Sequence, residues 1–220
     1  MVSPSDKEYV ETKRIKQGRA SLQPGYFSFA TWIENVFGAR PLNIIYDKLE
    51  HDERPRLQLI FEFWKEANKI GTEFLAGVND ANQKRIVEAF EEIVNRRGNF
   101  ETKEMFVIAS CFSIVAKDDA NRSVQKAQIE KMIAESHVPG VSLFYKTFSS
   151  LVIFADTERR KEEYLISGYK QKLEDSYFKL LKKYDEFDYI SRDQFAIDLD
   201  SKENLDKKYK GNLFYYSRDH

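Results

Sequence analysis

The sequence predicts an α+β fold: a mainly antiparallel sheet of about five or six strands covered by helices, with one long amphipathic helix near the C-terminus. Three observations carry this. Over 55–64, Leu57, Leu59, Phe61 and Phe63 alternate with Gln58 and Glu62, the period of a strand with one polar face. That stretch is joined to the candidate strand Leu42–Leu49 by a link of hairpin length, His51-Asp52-Glu53-Arg54. From Thr157 to Phe187, apolar residues recur at steps of three and four: Ile166, Tyr169, Leu173, Tyr177, Leu180, Tyr184 and Phe187. Read as one helix, this segment is roughly 45 Å long at about 1.5 Å per residue.

The remaining elements follow in order. Residues 1–24 are polar, with five Lys/Arg against three acids, and read as a loosely ordered arm ending at Pro24-Gly25. The rest, 25–220, reads as a single domain, since length over ~150 residues per domain gives about one. Ser28–Phe37 has helical spacing and Gly38 as a stop. Lys65–Val78 reads as helix interrupted by Gly71 and Gly77. Asp80 and Gln83 have the spacing of a capping box for the next helix, with Arg96-Arg97 and Gly98 at its end.

Met105–Ala116 is apolar on both faces and reads as a central strand. Lys117–Asn121 reads as a turn, Ser123–Ser136 as a helix and Leu143–Ala155 as a long or bent strand. After the long helix come a strand at Gln194–Leu199, a turn or short helix at Ser201–Tyr209, and a last strand at Asn212–Ser217. No repeat with a fixed period is present.

Composition removes several function classes. The chain carries 35 Lys+Arg against 36 Asp+Glu, a net charge of −1, which excludes a strongly basic nucleic-acid protein. Its 14% aromatic content supplies the burial that a disordered chain lacks. A single Cys excludes a disulfide framework within the chain, and with no export signal in the first residues the expected compartment is a reducing cytoplasm. No apolar stretch reaches the roughly 20 residues of a spanning helix, so no membrane is expected.

Motifs for catalysis are few. Neither phosphate-binding glycine pattern occurs, nor does the G-x-S-x-G elbow. Cys111, His51, His137 and His220 are not at zinc-ligand spacing. In Glu62-Phe63-Trp64-Lys65 the acid and the Lys would face opposite sides of a strand, unlike a nuclease Glu-x-Lys. The best catalytic pattern is a run of carboxylates after apolar stretches: Asp47, Asp118, Asp119, Asp156, Asp198 and Asp200. Were Asp118, Asp119 and Asp156 to converge at one sheet end, they would suit Mg²⁺ and phosphoryl transfer or nuclease chemistry. The same residue type at strand ends also serves as a cap or turn former.

With no motif of specificity, the expected function is a non-enzymatic interaction protein without cofactor or metal. Its partner would be another protein or a second copy, and an inhibitor or immunity-type role is one form. Candidate contacts are His51, Asp52, Glu53, Arg54, Arg56, Arg159 and Arg160, in loops and on the outer helix face. A third reading, nucleic-acid binding, rests on Arg54, Arg56, Arg159, Arg160 and Lys161. Charge is uneven along the chain: 157–184 holds eight Lys/Arg against five acids, whereas 185–220 holds six against nine.

Overall fold

The structure, a computed structural model, describes residues 3–49, 51–72, 77–96 and 98–219. Arg97, His220 and the part of Lys65–Val78 at 73–76 lie outside the described residues. Among those described, the chain forms ten α-helices and two three-stranded sheets, each sheet with one antiparallel and one parallel pairing. The α+β class therefore holds, while the single antiparallel sheet of five or six strands does not. The chain divides into two compact units, 1–115 and 116–220, with the boundary inside the 25–220 stretch that reads as one domain in sequence.

In unit 1, α1 (Lys7–Lys16) and α2 (Phe27–Phe37) precede the hairpin β1 (Asn43–Lys48) and β2 (Pro55–Phe61). A crossover through α3 (Trp64–Ala67) and α4 (Asp80–Ile93) then leads to β3 (Phe106–Cys111), parallel to β2. The expected alternation in β2 puts Leu57, Leu59 and Phe61 into the core with Phe29 and Ile33 of α2 and Ile86 and Phe90 of α4. Full burial of each such side chain stabilises by about 2–3 kcal/mol. The opposite face mixes the buried Ile60 with polar groups: Gln58 donates to Ser110 at 3.1 Å within the sheet, and Asn43 donates to Thr12 of α1 at 3.1 Å. Tyr9 of α1 stacks on Phe112 with centroids 5.3 Å apart.

Thus 7–16, read in sequence as part of a loose arm, is a helix with buried contacts. The α4 cap is Asn79, whose side chain accepts from Asn82 N at 3.0 Å, rather than Asp80. Gln83 accepts from Val107 N at 3.0 Å instead of closing a capping box. Asn79 also donates to Gly71 O, and a Cβ at Gly71 (φ +76°) would lie 1.9 Å from that amide, so only glycine fits this turn.

Helix α5 (Phe112–Ser123) begins directly after β3, and the unit boundary falls within it. Met105–Ala116 is therefore not one strand. After Cys111 the buried positions Phe112, Val115, Ala116 and Ala120 follow helical spacing, and Lys117–Asn121 is helix rather than turn.

In unit 2, α6 (Lys126–Ser136) precedes a second hairpin, β4 (Val141–Lys146) and β5 (Leu151–Ala155), where the sequence suggests one bent strand. A crossover through α7 (Glu158–Ile166) and α8 (Tyr169–Leu181) leads to β6 (Asp198–Ser201), parallel to β5, followed by α9 (Lys202–Tyr209) and α10 (Leu213–Asp219). Leu151, Ile153 and Ala155 pack on Ile129 and Met132 of α6 and Leu173 and Tyr177 of α8. Val152 and Phe154 pack on Leu205, Tyr209 and Tyr216 from the other side. Each unit thus runs helix, hairpin, two-helix crossover, parallel strand, helix.

The single long helix is not present. It breaks at Ser167-Gly168, where Gly168 takes φ +79° and starts α8. Steps of three and four identify a buried face but not continuity, and a left-handed glycine turns the chain between two such faces. Ile166, expected on the buried stripe, is 87% exposed at the corner. The last predicted strand is also helix: Asn212 Oδ1 accepts from the N–H groups of Phe214 and Tyr215, and Leu213 and Tyr216, three apart, face inward.

A polar node holds unit 2 together. The buried Asn121 amide donates to Thr147 O (2.8 Å) and Ser150 O (3.0 Å), the two sides of the β4–β5 turn, and its oxygen accepts from Tyr177 Oη at 2.6 Å. Lys146 Nζ donates to Asn121 O, Arg122 O and Val124 O at 2.9–3.1 Å, satisfying carbonyls at the end of α5. Asn121→Ala leaves two carbonyls and a hydroxyl without these partners and is expected to cost about 3 kcal/mol in chemical denaturation. Tyr177→Phe is expected to cost about 1–2 kcal/mol. No helix among the described residues is long and apolar enough to cross a membrane.

Candidate functional site

The hairpin loop in unit 1 closes through Leu49 N to Arg54 O (3.0 Å) and Glu53 N to Leu49 O (2.9 Å), with Glu53 at φ 56°. His51, Asp52 and Glu53 are exposed at its tip, and His51 Nε2 lies 3.3 Å from Asp52. Arg54 is also exposed but lies flat over the Phe106 ring at 4.5 Å. Arg56 is engaged within the fold. It faces Asp47 across the strand pair and forks onto that carboxylate, with Nε to Oδ1 at 2.8 Å, and Glu8 is 3.8 Å away. The hydrogen bond it donates to Asp47 holds the guanidinium above its ordinary range.

In unit 2, Arg159 is exposed, whereas Arg160 lies 3.0 Å from Glu163 and 3.7 Å from Asp156. The three candidate catalytic aspartates do not meet. Asp118 and Asp119 sit within α5, not at a strand end. Asp118 is buried and ion-paired to Arg122 Nε at 2.8 Å, beside the Lys146 cap at the start of β5. Asp156 lies just past the other end of β5, where it accepts from Thr157 N at 2.9 Å. The length of β5 separates the two sites by roughly 16 Å, too far for ligands of one ion. Among the described residues, no group of three or more His, Cys, Asp or Glu is placed to hold a metal. Cys111 is buried, with Sγ donating to Glu62 O at 3.3 Å, and His137 caps α6 in a left-handed conformation (φ 53°).

The carboxyl ends of the parallel strands are where open α/β sheets place ligands, and the two units treat this corner differently. In unit 2 it is a closed polar knot. Ser201 accepts from Asn204 N as the cap of α9 and donates to Glu158 Oε1 at 2.5 Å. Lys161 Nζ lies 2.6 Å from Glu158 and 3.8 Å from Asp200, and the Asn204 amide forks onto Asp200 at 3.0 and 3.1 Å. The ammonium occupies the place between two carboxylates that a cation would need. Hydrogen bonds from Lys161 and Ser201 hold Glu158 below the usual carboxylate range, and the bond to Glu158 holds Lys161 above its own.

In unit 1 the corresponding corner presents apolar surface. Ser113 N donates to Glu62 O at 3.0 Å, which brings the start of α5 beside the end of β2. Lys16 neutralises Glu62 at 2.8 Å. Phe63 and Trp64 follow Glu62 in the chain and Ile114 follows Ser113, and they are 37%, 41% and 42% exposed, with Lys65 Nζ 5.3 Å from the Phe63 ring centroid. Sequence alternation assigned Phe63 to a buried strand face; the strand ends at Phe61, and Phe63 N instead donates to Glu66 in the first turn of α3. Neither the patch nor the knot was visible before the parallel pairing brought β2 beside β3 and β5 beside β6. The cue within reach was Ser201, a preferred N-cap residue type at the head of the 201–209 segment.

The knot carries a pH signature. A carboxyl held below its unfolded value contributes stability that is complete above the ordinary carboxylate range and is lost as pH falls through the lowered value. Glu158→Gln is therefore expected to flatten the acid limb of a thermal-midpoint profile; a profile that overlays the wild type would remove this linkage. No protein-family model, no curated protein and no solved structure matches this chain.

Proposed function

We propose that the protein works by binding a protein partner rather than by catalysis, in a reducing cytoplasm. The observation that carries this is the Phe63, Trp64 and Ile114 patch at the carboxyl ends of β2 and β3. That corner offers an aromatic anchor flanked by a neutralised Lys16–Glu62 pair, the composition of a protein interface centre with a polar rim. An inhibitor or immunity-type masking role is one form of this reading. The exposed hairpin tip His51, Asp52 and Glu53, with Arg54, and the exposed Arg159 are candidate secondary contacts. The partner reading also covers a second copy of the chain.

The test is capture at near-physiological salt with immobilised wild type, Trp64→Glu and Ile114→Asp, alongside light scattering for self-association. A retained partner, or a dimer, is expected for the wild type. Trp64→Glu is expected to weaken it by about 2 kcal/mol or more, roughly thirtyfold. A wild type that retains no stable partner and stays monomeric would count against this reading.

A further inference from the structure

Unit 2 holds a groove of about 460 Å³ between α6 and α8. Its rim carries Lys131 from α6 and Lys172, Lys179 and Lys183 from α8 and the turn after it, all exposed. Its floor combines the buried apolar Met132 and Leu180 with the buried Ser136. Among its described lining residues Glu135 is the sole carboxylate, 3.7 Å from Lys131. Tyr184 Oη donates to Gln128 at 2.8 Å, tying the turn after α8 to the start of α6. Four ammonium groups against one carboxylate make a focused positive strip in a chain whose net charge is −1.

We infer that this groove docks an acidic amphipathic helix of a partner protein. Charge complementarity selects the acid. Met132 and Leu180 at the floor select a segment with one apolar face, as in helix-in-groove recognition. The spacing fits a helix: Lys172 and Lys179 are two turns apart, about 10.5 Å at ~1.5 Å per residue, the repeat at which carboxylates on a facing helix recur. A phosphate backbone is the less fitting occupant. Among the described lining residues there is no aromatic ring for bases to stack on and no arginine fork for phosphate. The site is separate from the Phe63–Trp64–Ile114 patch and does not depend on it.

The probe is a fluorescent peptide of about 20 residues, with leucines at helical spacing and glutamates on the other face. A Leu-to-Ser version of the same charge and a single-stranded oligonucleotide of equal charge serve as comparisons. Fluorescence anisotropy at low salt is expected to show the amphipathic peptide binding most tightly. The double variant Lys179→Glu, Lys183→Glu should weaken it at least about tenfold, without shifting the melting midpoint, because both side chains are exposed. Absence of peptide binding, an affinity unmoved by the double variant, equal binding of the Leu-to-Ser peptide, or tighter binding of the oligonucleotide would each overturn the inference. Trp64→Glu is expected to bind the peptide as the wild type does, so this site and the unit 1 patch fail or stand separately.

Discussion

One buried side chain sets the geometry of the C-terminal unit. Asn121 offers two donors and an acceptor at a point where the β4–β5 turn and α8 come together with α5. Without these bonds the amide itself and the Tyr177 hydroxyl would be polar groups stranded in an apolar cluster, with a penalty that is a sizeable share of a domain's net stability. Lys146 adds to the same point from β4, its ammonium finishing the end of α5 with three carbonyls. Through α5 the node also fixes where α6 begins, and through Tyr177 it fixes α8. The lysine groove between those two helices therefore inherits its shape from an amide that never meets solvent.

The two units repeat one topology with different chemistry at the same corner. At the carboxyl ends of the parallel pairs, register partners Phe61 and Cys111 in unit 1 correspond to Ala155 and Ser201 in unit 2. After Ala155 the chain supplies Thr157 as a cap and Glu158 and Lys161 to neutralise one another, so the corner is occupied by its own charges. After Phe61 it supplies Phe63 and Trp64, both partly exposed. One copy is sealed by electrostatics and the other presents apolar surface.

Local patterns were legible in the sequence where burial has a regular period. The hairpin of β1 and β2, the inward set Leu57, Leu59 and Phe61, and the helices around 28–37 and 80–93 all follow from spacing. What failed were the continuous apolar runs. Met105–Ala116 contains a strand and the first turns of a helix, and nothing in apolarity alone marks the change at Phe112. The helix break at Gly168 was hidden because Ile166 sits at the right spacing to extend the stripe of Tyr169 and Leu173, although it is exposed and α7 buries Tyr164 instead. The repeat was hidden because the hairpin loops and crossovers differ in length between units, which destroys any fixed period while keeping the topology. Of the lysine groove, three of the four lysines lie in the 157–184 segment whose basic excess is legible in sequence; Lys131 and Met132 come from α6 and needed the tertiary packing.

The polar node has a consequence for biogenesis. Asn121 and Tyr177 are 56 residues apart, so during vectorial synthesis the amide emerges well before the hydroxyl that completes it. Until α8 follows, the end of α5 and the second hairpin can meet only in part. The N-terminal sheet, whose strands end at Cys111, has all its pairing partners by then. Nascent chains halted between these two points would carry a finished first sheet and an incomplete second core, the species with the most exposed apolar surface and the strongest demand for a chaperone.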